Sequence, residues 1–147
     1  MSESRLKMGV VQPEAYKAMA ALEKYLSATS IDPRHKELIK VRASIINGCA
    51  YCVDKHSKDA LKLGESVQRL MLVGVWREAR NLFTEEEQTI FLLTEEITNI
   101  QHGGLSDETY RKSIALFGEP KTAEMMMAII TINAWNRIGV ATEMHPQ

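Results

Sequence analysis

Two cysteines and a histidine lie at a spacing that supports thiol chemistry. Cys49, Cys52 and His56 occupy positions i, i+3 and i+7. At about 100° per residue they fall within an arc of about 60° on one helix face. Two cysteines at i and i+3 have α-carbons roughly 5 Å apart, inside the range that a disulfide tolerates. A bridge across so short a loop would be a weak structural staple, so chemistry is the better reason for it.

The position of the two cysteines along the helix favours thiolate and separates their roles. Asn47 and Gly48 precede them, which places both sulfurs in the first turn, where free N–H groups and the helix dipole stabilise a negative charge. His56 lies about 6 Å along the axis from Cys52 but about 10 Å from Cys49. We therefore expect Cys52 to be the thiol with a local base and Cys49 to lie nearer the open helix end.

The same residue types also allow other interpretations. The two cysteines could form half of a zinc site that His56 and one of His35 or Glu37 completes, or they could be inert core residues. Glu37 has Lys36 and Lys40 close by in sequence, which is typical of a solvated ion pair. The residues alone leave these alternatives open.

Three further residues have ordinary structural explanations. Tyr51 by itself predicts a packed ring with an exposed hydroxyl. His102 precedes two glycines and fits a cation at a helix C-terminus, and His145 lies in the C-terminal tail. We expect no functional role for either histidine.

Helix start and stop signals divide the chain into about seven helices. The predicted starts are Pro13, Pro33, Cys49, Ser66, Thr84, Ser106 and Pro120, and the predicted ends include Gly48, Gly64, Gly103, Gly118 and Gly139. The predicted inward residues are Ala15, Met19, Leu22 and Leu26 in the first helix, Val67, Leu70, Met71 and Val75 in the fourth, and Ile90, Phe91, Leu93 and Ile97 in the fifth. No segment alternates apolar and polar residues over strand length. The sequence therefore predicts an all-α fold, a single compact helical bundle spanning residues 1–147.

The last predicted helix is apolar around nearly its whole circumference. Met125, Ala128, Ile129, Ile132 and Trp135 form one stripe, and further apolar residues fill most of the other faces. Such a helix is buried on more than one side. It is either the central core helix or a helix shared with another subunit.

Composition sets the class of protein and its surroundings. The chain has 147 residues, of which 45% are hydrophobic and 25% charged, and its formal net charge is −1. This balance excludes nucleic-acid or anionic-membrane binding by bulk charge. The longest uncharged run, Met125 to Asn136, is shorter than the roughly 20 residues of a spanning helix. The first residues lack the apolar core of a signal peptide, so we expect a soluble cytoplasmic protein.

The motif built on these residues resembles the carboxymuconolactone decarboxylase-like superfamily, and more closely its alkylhydroperoxidase D branch. Glu37 stands twelve residues before Cys49, Tyr51 and Cys52 follow it, and His56 comes four residues after Cys52. The segment Ile132-Asn133-Ala134-Trp135-Asn136-Arg137 also resembles one that these small helical proteins carry near their ends.

The resemblance implies a thiol peroxidase or disulfide reductase with an antioxidant role. Cys52 would attack the peroxide and become a sulfenic acid, Cys49 would resolve it to a disulfide, and Glu37 and His56 would relay protons. Tyr51 stands where the best-characterised pattern has histidine. A phenol stays protonated at neutral pH, so Tyr51 can donate a hydrogen bond but cannot shuttle protons as imidazole does.

The resemblance also implies partners. The substrate would be a hydroperoxide, the disulfide would be re-reduced by a dithiol donor such as a lipoyl-bearing protein, and electrons could pass on to a peroxiredoxin. No metal or organic cofactor need be bound, and family members of this size are commonly trimers or hexamers. The alternative is a non-redox helical protein of the same superfamily: lyase-like, zinc-stabilised or partner-binding.

Overall fold

Seven α-helices and two 3₁₀ segments follow one another in the computed structural model, which describes residues 4–147. The α-helices are α1 (Met8–Val11), α2 (Pro13–Ser27), α3 (Pro33–Asn47), α4 (Ala50–Lys62), α5 (Val67–Leu72), α6 (Glu85–Thr98) and α7 (Asp107–Ala141). The 3₁₀ segments are Val73–Leu82 and Ile100–His102. Residues 4–147 contain no strand, and the predicted all-α class is confirmed.

The ends of α3 and the start of α6 lie where the sequence predicts them. The Asp32 side chain caps α3 by accepting a hydrogen bond from the backbone N–H of Arg34. Gly48 ends α3 with φ of 68°, a left-handed conformation that glycine adopts without strain. Thr84 and Glu87 form the reciprocal capping box that opens α6.

The fourth predicted helix packs with a different face from the one expected. Val67, Met71 and Val75 are 59%, 75% and 56% exposed, so their predicted inward positions are wrong, whereas Leu70 does pack against the core. Arg69 is held inward because its guanidinium pairs with two buried glutamates. Beyond α5 the chain tightens to about three residues per turn, which shifts the packing face. The buried residues there are Val73, Trp76 and Ala79.

The second half of α7 is the central helix of the fold. The predicted sixth and seventh helices form α7, with a break at Gly118, where φ is 78° and ψ 167°. Helix α7 packs against α2, α3, α4 and α6, and its part after the break contributes four residues to a buried hydrophobic cluster. Met125, Ile129 and Ile132 are almost fully buried, whereas Ile130 is 49% exposed. Burial within one chain therefore accounts for most of its apolar circumference.

Helix α2 lies across the surface of the bundle. Of its predicted stripe only Leu26 is buried, Met19 and Leu22 are half-buried, and Ala15 is exposed. The fifth predicted helix also ends earlier than expected, at Thr98, and a 3₁₀ turn continues the chain toward the glycines. Within residues 4–147, no helix combines the length and the apolar character that crossing a membrane requires.

Candidate active site

A disulfide joins the two cysteines at the start of α4. Cys49 and Cys52 are bonded through sulfur, and their α-carbons are 5.3 Å apart. Cys49 is the N-cap of α4, and its Sγ accepts a hydrogen bond of 3.3 Å from the backbone N–H of Cys52. The cysteines are 2% and 4% exposed. The pair thus lies at the positive end of the helix, where a thiolate is favoured after reduction.

The backbone of α7 passes directly over the disulfide at Gly139. A Cβ on Gly139 would stand 2.9 Å from the Cys49 sulfur and 3.4 Å from the Cys52 sulfur. The first distance is shorter than real Cβ contacts, so this close approach requires glycine. From the sequence alone, Gly139 is predicted only as the end of a helix. Its contact with the disulfide joins two segments far apart in sequence, and no local pattern reveals it.

An amide cluster fixes α7 to the end of α3, just before the cysteines. Asn47 Nδ2 donates hydrogen bonds to Asn133 Oδ1 at 2.9 Å and to Asn136 Oδ1 at 3.0 Å. Asn136, which is fully buried, donates in turn to Ser44 Oγ at 2.9 Å. These two asparagines belong to the segment near the C-terminus that the sequence analysis singled out, and they hold α7 against the turn that carries the disulfide.

A buried carboxylate and an imidazole form a hydrogen-bonded pair between α3 and α4. His56 Nδ1 lies 3.0 Å from Glu37 Oε2, and Lys40 Nζ lies 3.1 Å from Glu37 Oε1. Asp59 Oδ2 is 3.9 Å from His56 Nδ1. The predicted ion pair of Glu37 with Lys40 exists, but it is nearly buried rather than solvated, since the two side chains are 11% and 13% exposed.

The neighbours of Glu37 keep its carboxyl group ionised. Burial alone would raise the pKa of Glu37, but the hydrogen bond with His56 and the charge of Lys40 outweigh burial and lower the pKa below 4.5. A charged carboxylate next to Nδ1 keeps a proton on that nitrogen. The other ring nitrogen, Nε2, then carries the lone pair that can take up or return a proton.

A cavity of about 430 Å³ opens onto Cys52. Tyr51 and His56 line it beside Cys52, whereas Cys49 does not. The apolar part of the wall includes Tyr16 and Trp135, whose rings meet edge to face with centroids 5.2 Å apart. The other lining residues are Ala20, Glu23, Lys40, Lys55, Asp59 and Met144. The cavity therefore combines an apolar wall with one sulfur and an acid–base pair.

Three of the five predicted site residues, Tyr51, Cys52 and His56, line this cavity, and a fourth, Glu37, is hydrogen-bonded to His56. The fifth, Cys49, is bonded to Cys52 but lines a separate cleft. The sequence alone does not predict Asp59 as a site residue, and it predicts Lys40 only as part of a solvated ion pair. The helical spacing could have indicated both, since Asp59 lies three residues after His56 and Lys40 three residues after Glu37.

One trio of side chains in residues 4–147 has the spacing of metal ligands. The ligand atoms of Glu37, His56 and Asp59 lie within 4.8 Å of one another. Neither cysteine belongs to this trio, and neither does His35, which the zinc interpretation considered. His102 and His145 are exposed.

Comparison with known proteins shows the family of this chain. The sequence model of the carboxymuconolactone decarboxylase family matches residues 13–96, so the chain belongs to that family. The uncharacterised protein YdfG of Bacillus subtilis (strain 168) is 38% identical over 131 residues, which cover 89% of this chain and 88% of YdfG.

Solved structures place the chain close to the alkylhydroperoxidase D branch. A protein of unknown function from Agrobacterium tumefaciens, provisionally assigned as the antioxidant defence protein AhpD, superimposes with a TM-score of 0.94 at 38% identity and covers 99% of both chains. A peroxidase-related protein from Silicibacter sp. TM1040 superimposes with a TM-score of 0.80 at 19% identity. The superposition covers 92% of this chain and 72% of the Silicibacter chain. The second similarity concerns the fold alone.

Proposed function

We propose that the protein is a thiol-dependent peroxidase that reduces alkyl hydroperoxides through Cys49 and Cys52. The observation that carries the proposal is the meeting of Cys52 with the Glu37–His56 pair at one partly apolar cavity. The provisional assignment of the Agrobacterium relative to antioxidant defence supports the same class of activity. The wall formed by Tyr16 and Trp135 suits a substrate with an organic group.

The reaction balances with the residues of the cavity. The reduced Cys52 thiol gives its proton to His56, and the thiolate attacks the terminal peroxide oxygen, breaking the O–O bond. Cys52 becomes a sulfenic acid, and the alkoxide leaves as an alcohol with the proton from His56. The Cys49 thiol then attacks the Cys52 sulfur, its proton passes to the leaving hydroxyl group, and water leaves as the disulfide forms. In this proposal the hydroxyl of Tyr51, which lines the cavity, donates a hydrogen bond to the hydroperoxide.

Turnover requires two electrons from outside the chain. A dithiol donor, such as a lipoyl-bearing protein, reduces the Cys49–Cys52 disulfide, and a peroxiredoxin is a further candidate partner. This cycle needs no permanently bound cofactor and suits a reducing cytoplasm. From the resemblance to the family, whose members of this size are commonly trimers or hexamers, we also propose a homo-oligomer with three-fold symmetry.

Single-cysteine variants test the proposal and the roles of the two sulfurs. Cys49→Ser should react once with an alkyl hydroperoxide and leave a sulfenic acid on Cys52, which dimedone traps for mass spectrometry. Cys52→Ser should not consume hydroperoxide. Trapping at Cys49 in Cys52→Ser, with none at Cys52 in Cys49→Ser, would reverse the roles. No trapped sulfenic acid in either variant would refute the peroxidase function.

A further inference from the structure

The disulfide lies between two clefts that share no lining residue. Cys52 lines the cavity described above, and Cys49 lines a second, shallower cleft of about 580 Å³. The wall of this second cleft includes Gly48, Cys49, Ala50, Val53, Asp54 and Pro146. The two bonded residues therefore line different openings at the surface, although each is almost fully buried.

We propose that the second cleft, which we call the Cys49 cleft, is the site where the reducing dithiol attacks the disulfide. This inference rests on the proposed function and adds the place of reduction. A thiolate of the dithiol attacks Cys49 Sγ, the Cys49–Cys52 bond breaks, and Cys52 leaves as a thiolate. The second thiol of the donor then attacks the donor sulfur that is bonded to Cys49. The donor becomes an intramolecular disulfide, and Cys49 is released. The donor leaves oxidised, and its two protons end on Cys49 and Cys52.

The direction of attack follows from where the leaving sulfur goes. Attack at Cys49 expels the Cys52 thiolate into the cavity that His56 lines, where the Glu37–His56 pair can supply a proton. Attack at Cys52 would place the donor in the hydroperoxide cavity and expel the Cys49 thiolate on the side away from that pair. Separate sites also let the donor approach without displacing the hydroperoxide.

The walls of the Cys49 cleft leave room for a dithiol. Gly48 has no heavy atom within 4 Å of the place where a Cβ would stand, and Ala50 is exposed. The C-terminal residues separate the two approaches, because Met144 lines the hydroperoxide cavity and Pro146 lines the Cys49 cleft. This segment is fastened by a hydrogen bond from the Met144 N–H to the Gly139 carbonyl at 2.9 Å.

The point of attack can be read directly on the oxidised wild-type protein. Glutathione is added in excess, the reaction is stopped within seconds by N-ethylmaleimide, and tandem mass spectrometry locates both labels. The proposal predicts glutathione on Cys49 and maleimide on Cys52. Glutathione on Cys52 with maleimide on Cys49 would overturn it. No hydroperoxide is present, so this result does not depend on peroxidase activity.

Two matched alanine variants separate the clefts. Ala50 lines the Cys49 cleft and Ala20 lines the hydroperoxide cavity, and both side chains are exposed. With dihydrolipoamide as the probe, Ala50→Trp should slow reduction of the disulfide about tenfold or more, whereas Ala20→Trp should change it less than about twofold. Equal slowing, or slowing by Ala20→Trp alone, would overturn the inference. If Ala50→Trp slows reduction of the disulfide but the wild-type protein does not consume hydroperoxide, the peroxidase function is refuted and the site of reduction is not.

Discussion

Glu37 is a nearly buried carboxylate with both oxygens occupied, one by His56 and the other by Lys40. Seen along the sequence alone, it is one acid among lysines, and only the family resemblance gives it a chemical role. The structure places that carboxylate against the imidazole of His56, which lines the same cavity as Cys52. In the proposed reaction, its charge stabilises the imidazolium that forms when His56 takes a proton from Cys52.

Removing either member of the Glu37–His56 pair should make the Cys52 thiolate harder to form. The pKa of Glu37 lies below 4.5, so the carboxylate is charged at neutral pH and Glu37→Gln deletes that charge. We expect the pH midpoint for alkylation of Cys52 by iodoacetamide in the reduced protein to rise by about half a unit or more in Glu37→Gln. The rise should be larger in His56→Ala. Glu85→Gln, which changes an exposed glutamate, is the control, and an unchanged midpoint in both site variants would contradict the proton relay.

Gly139 should tolerate a side chain poorly because of its contact with the disulfide. Gly139→Ala places a methyl group 2.9 Å from the Cys49 sulfur, and we expect it to lower the free energy of unfolding by about 1–3 kcal/mol. Gly74→Ala is the matched control, because its Cβ would lie 3.7 Å from Ile45, an ordinary contact. Urea unfolding of the oxidised proteins measures both changes. Equal stability of the two variants would show that α7 does not press on the disulfide.

Between elements, Glu95 of α6 is the main polar connection to α3 and the first 3₁₀ segment. It accepts hydrogen bonds from Arg42 at 3.0 Å, Trp76 at 2.7 Å and Arg77 at 2.6 Å. Burial alone would raise the pKa of Glu95, but the hydrogen bonds of Arg77 and Trp76, with the charge of Arg42, lower it below 4.5. This ion cluster packs the site-bearing α3 against the rest of the bundle.

The stabilisation from Glu95 should depend on pH in a defined direction. Its folded-state pKa is below the unfolded value, so its contribution is present above about pH 4.5 and is lost as the pH falls through the folded value. Glu95→Gln should destabilise the protein by about 2–4 kcal/mol at pH 7, and by less in acid. Urea unfolding at several pH values measures this. Glu14→Gln, at an exposed pair with Lys17, should stay within about 0.5 kcal/mol of wild type. A loss in Glu95→Gln that does not shrink in acid would contradict the assigned role.

The helices and their ends could be predicted from the sequence because their signals are local. Gly48 and the Thr84 capping box occupy the positions expected of them. The packing face beyond residue 66 could not be predicted for two reasons. One of the two glutamates that hold Arg69 inward is Glu87, eighteen residues away, and the change to 3₁₀ geometry leaves no periodic pattern in the sequence. The contact between Gly139 and the disulfide could not be predicted either, because the two segments are far apart in sequence.

Across the whole molecule, three apolar side chains spaced four residues apart remain on the surface of one chain. Val67, Met71 and Val75 are each more than half exposed. The central position of α7 accounts for its apolar residues within a single chain. The exposed trio is therefore a better candidate for contact between subunits than α7.

We predict a homo-oligomer with three-fold symmetry, and Met71→Glu should weaken it by placing a charge in the contact. Light scattering should give a multiple of three times the 16.6 kDa chain mass for wild type and a lower mass for Met71→Glu. Gln68→Glu adds the same charge to the same helix and is the control. A stable 16.6 kDa wild-type monomer at micromolar concentration would contradict the prediction. An oligomeric Met71→Glu would place the contact elsewhere.

Titration of the two thiols per chain before and after oxidation tests the redox role of the pair most directly. The reduced protein is mixed with one equivalent of an alkyl hydroperoxide, and free thiols, released metal and peptide masses are measured. The thiol peroxidase proposal predicts that both thiols disappear together, that one equivalent of alcohol forms, and that a single intramolecular Cys49–Cys52 disulfide is recovered. Persistence of both thiols, or loss of thiol titre only with release of bound zinc, would contradict it.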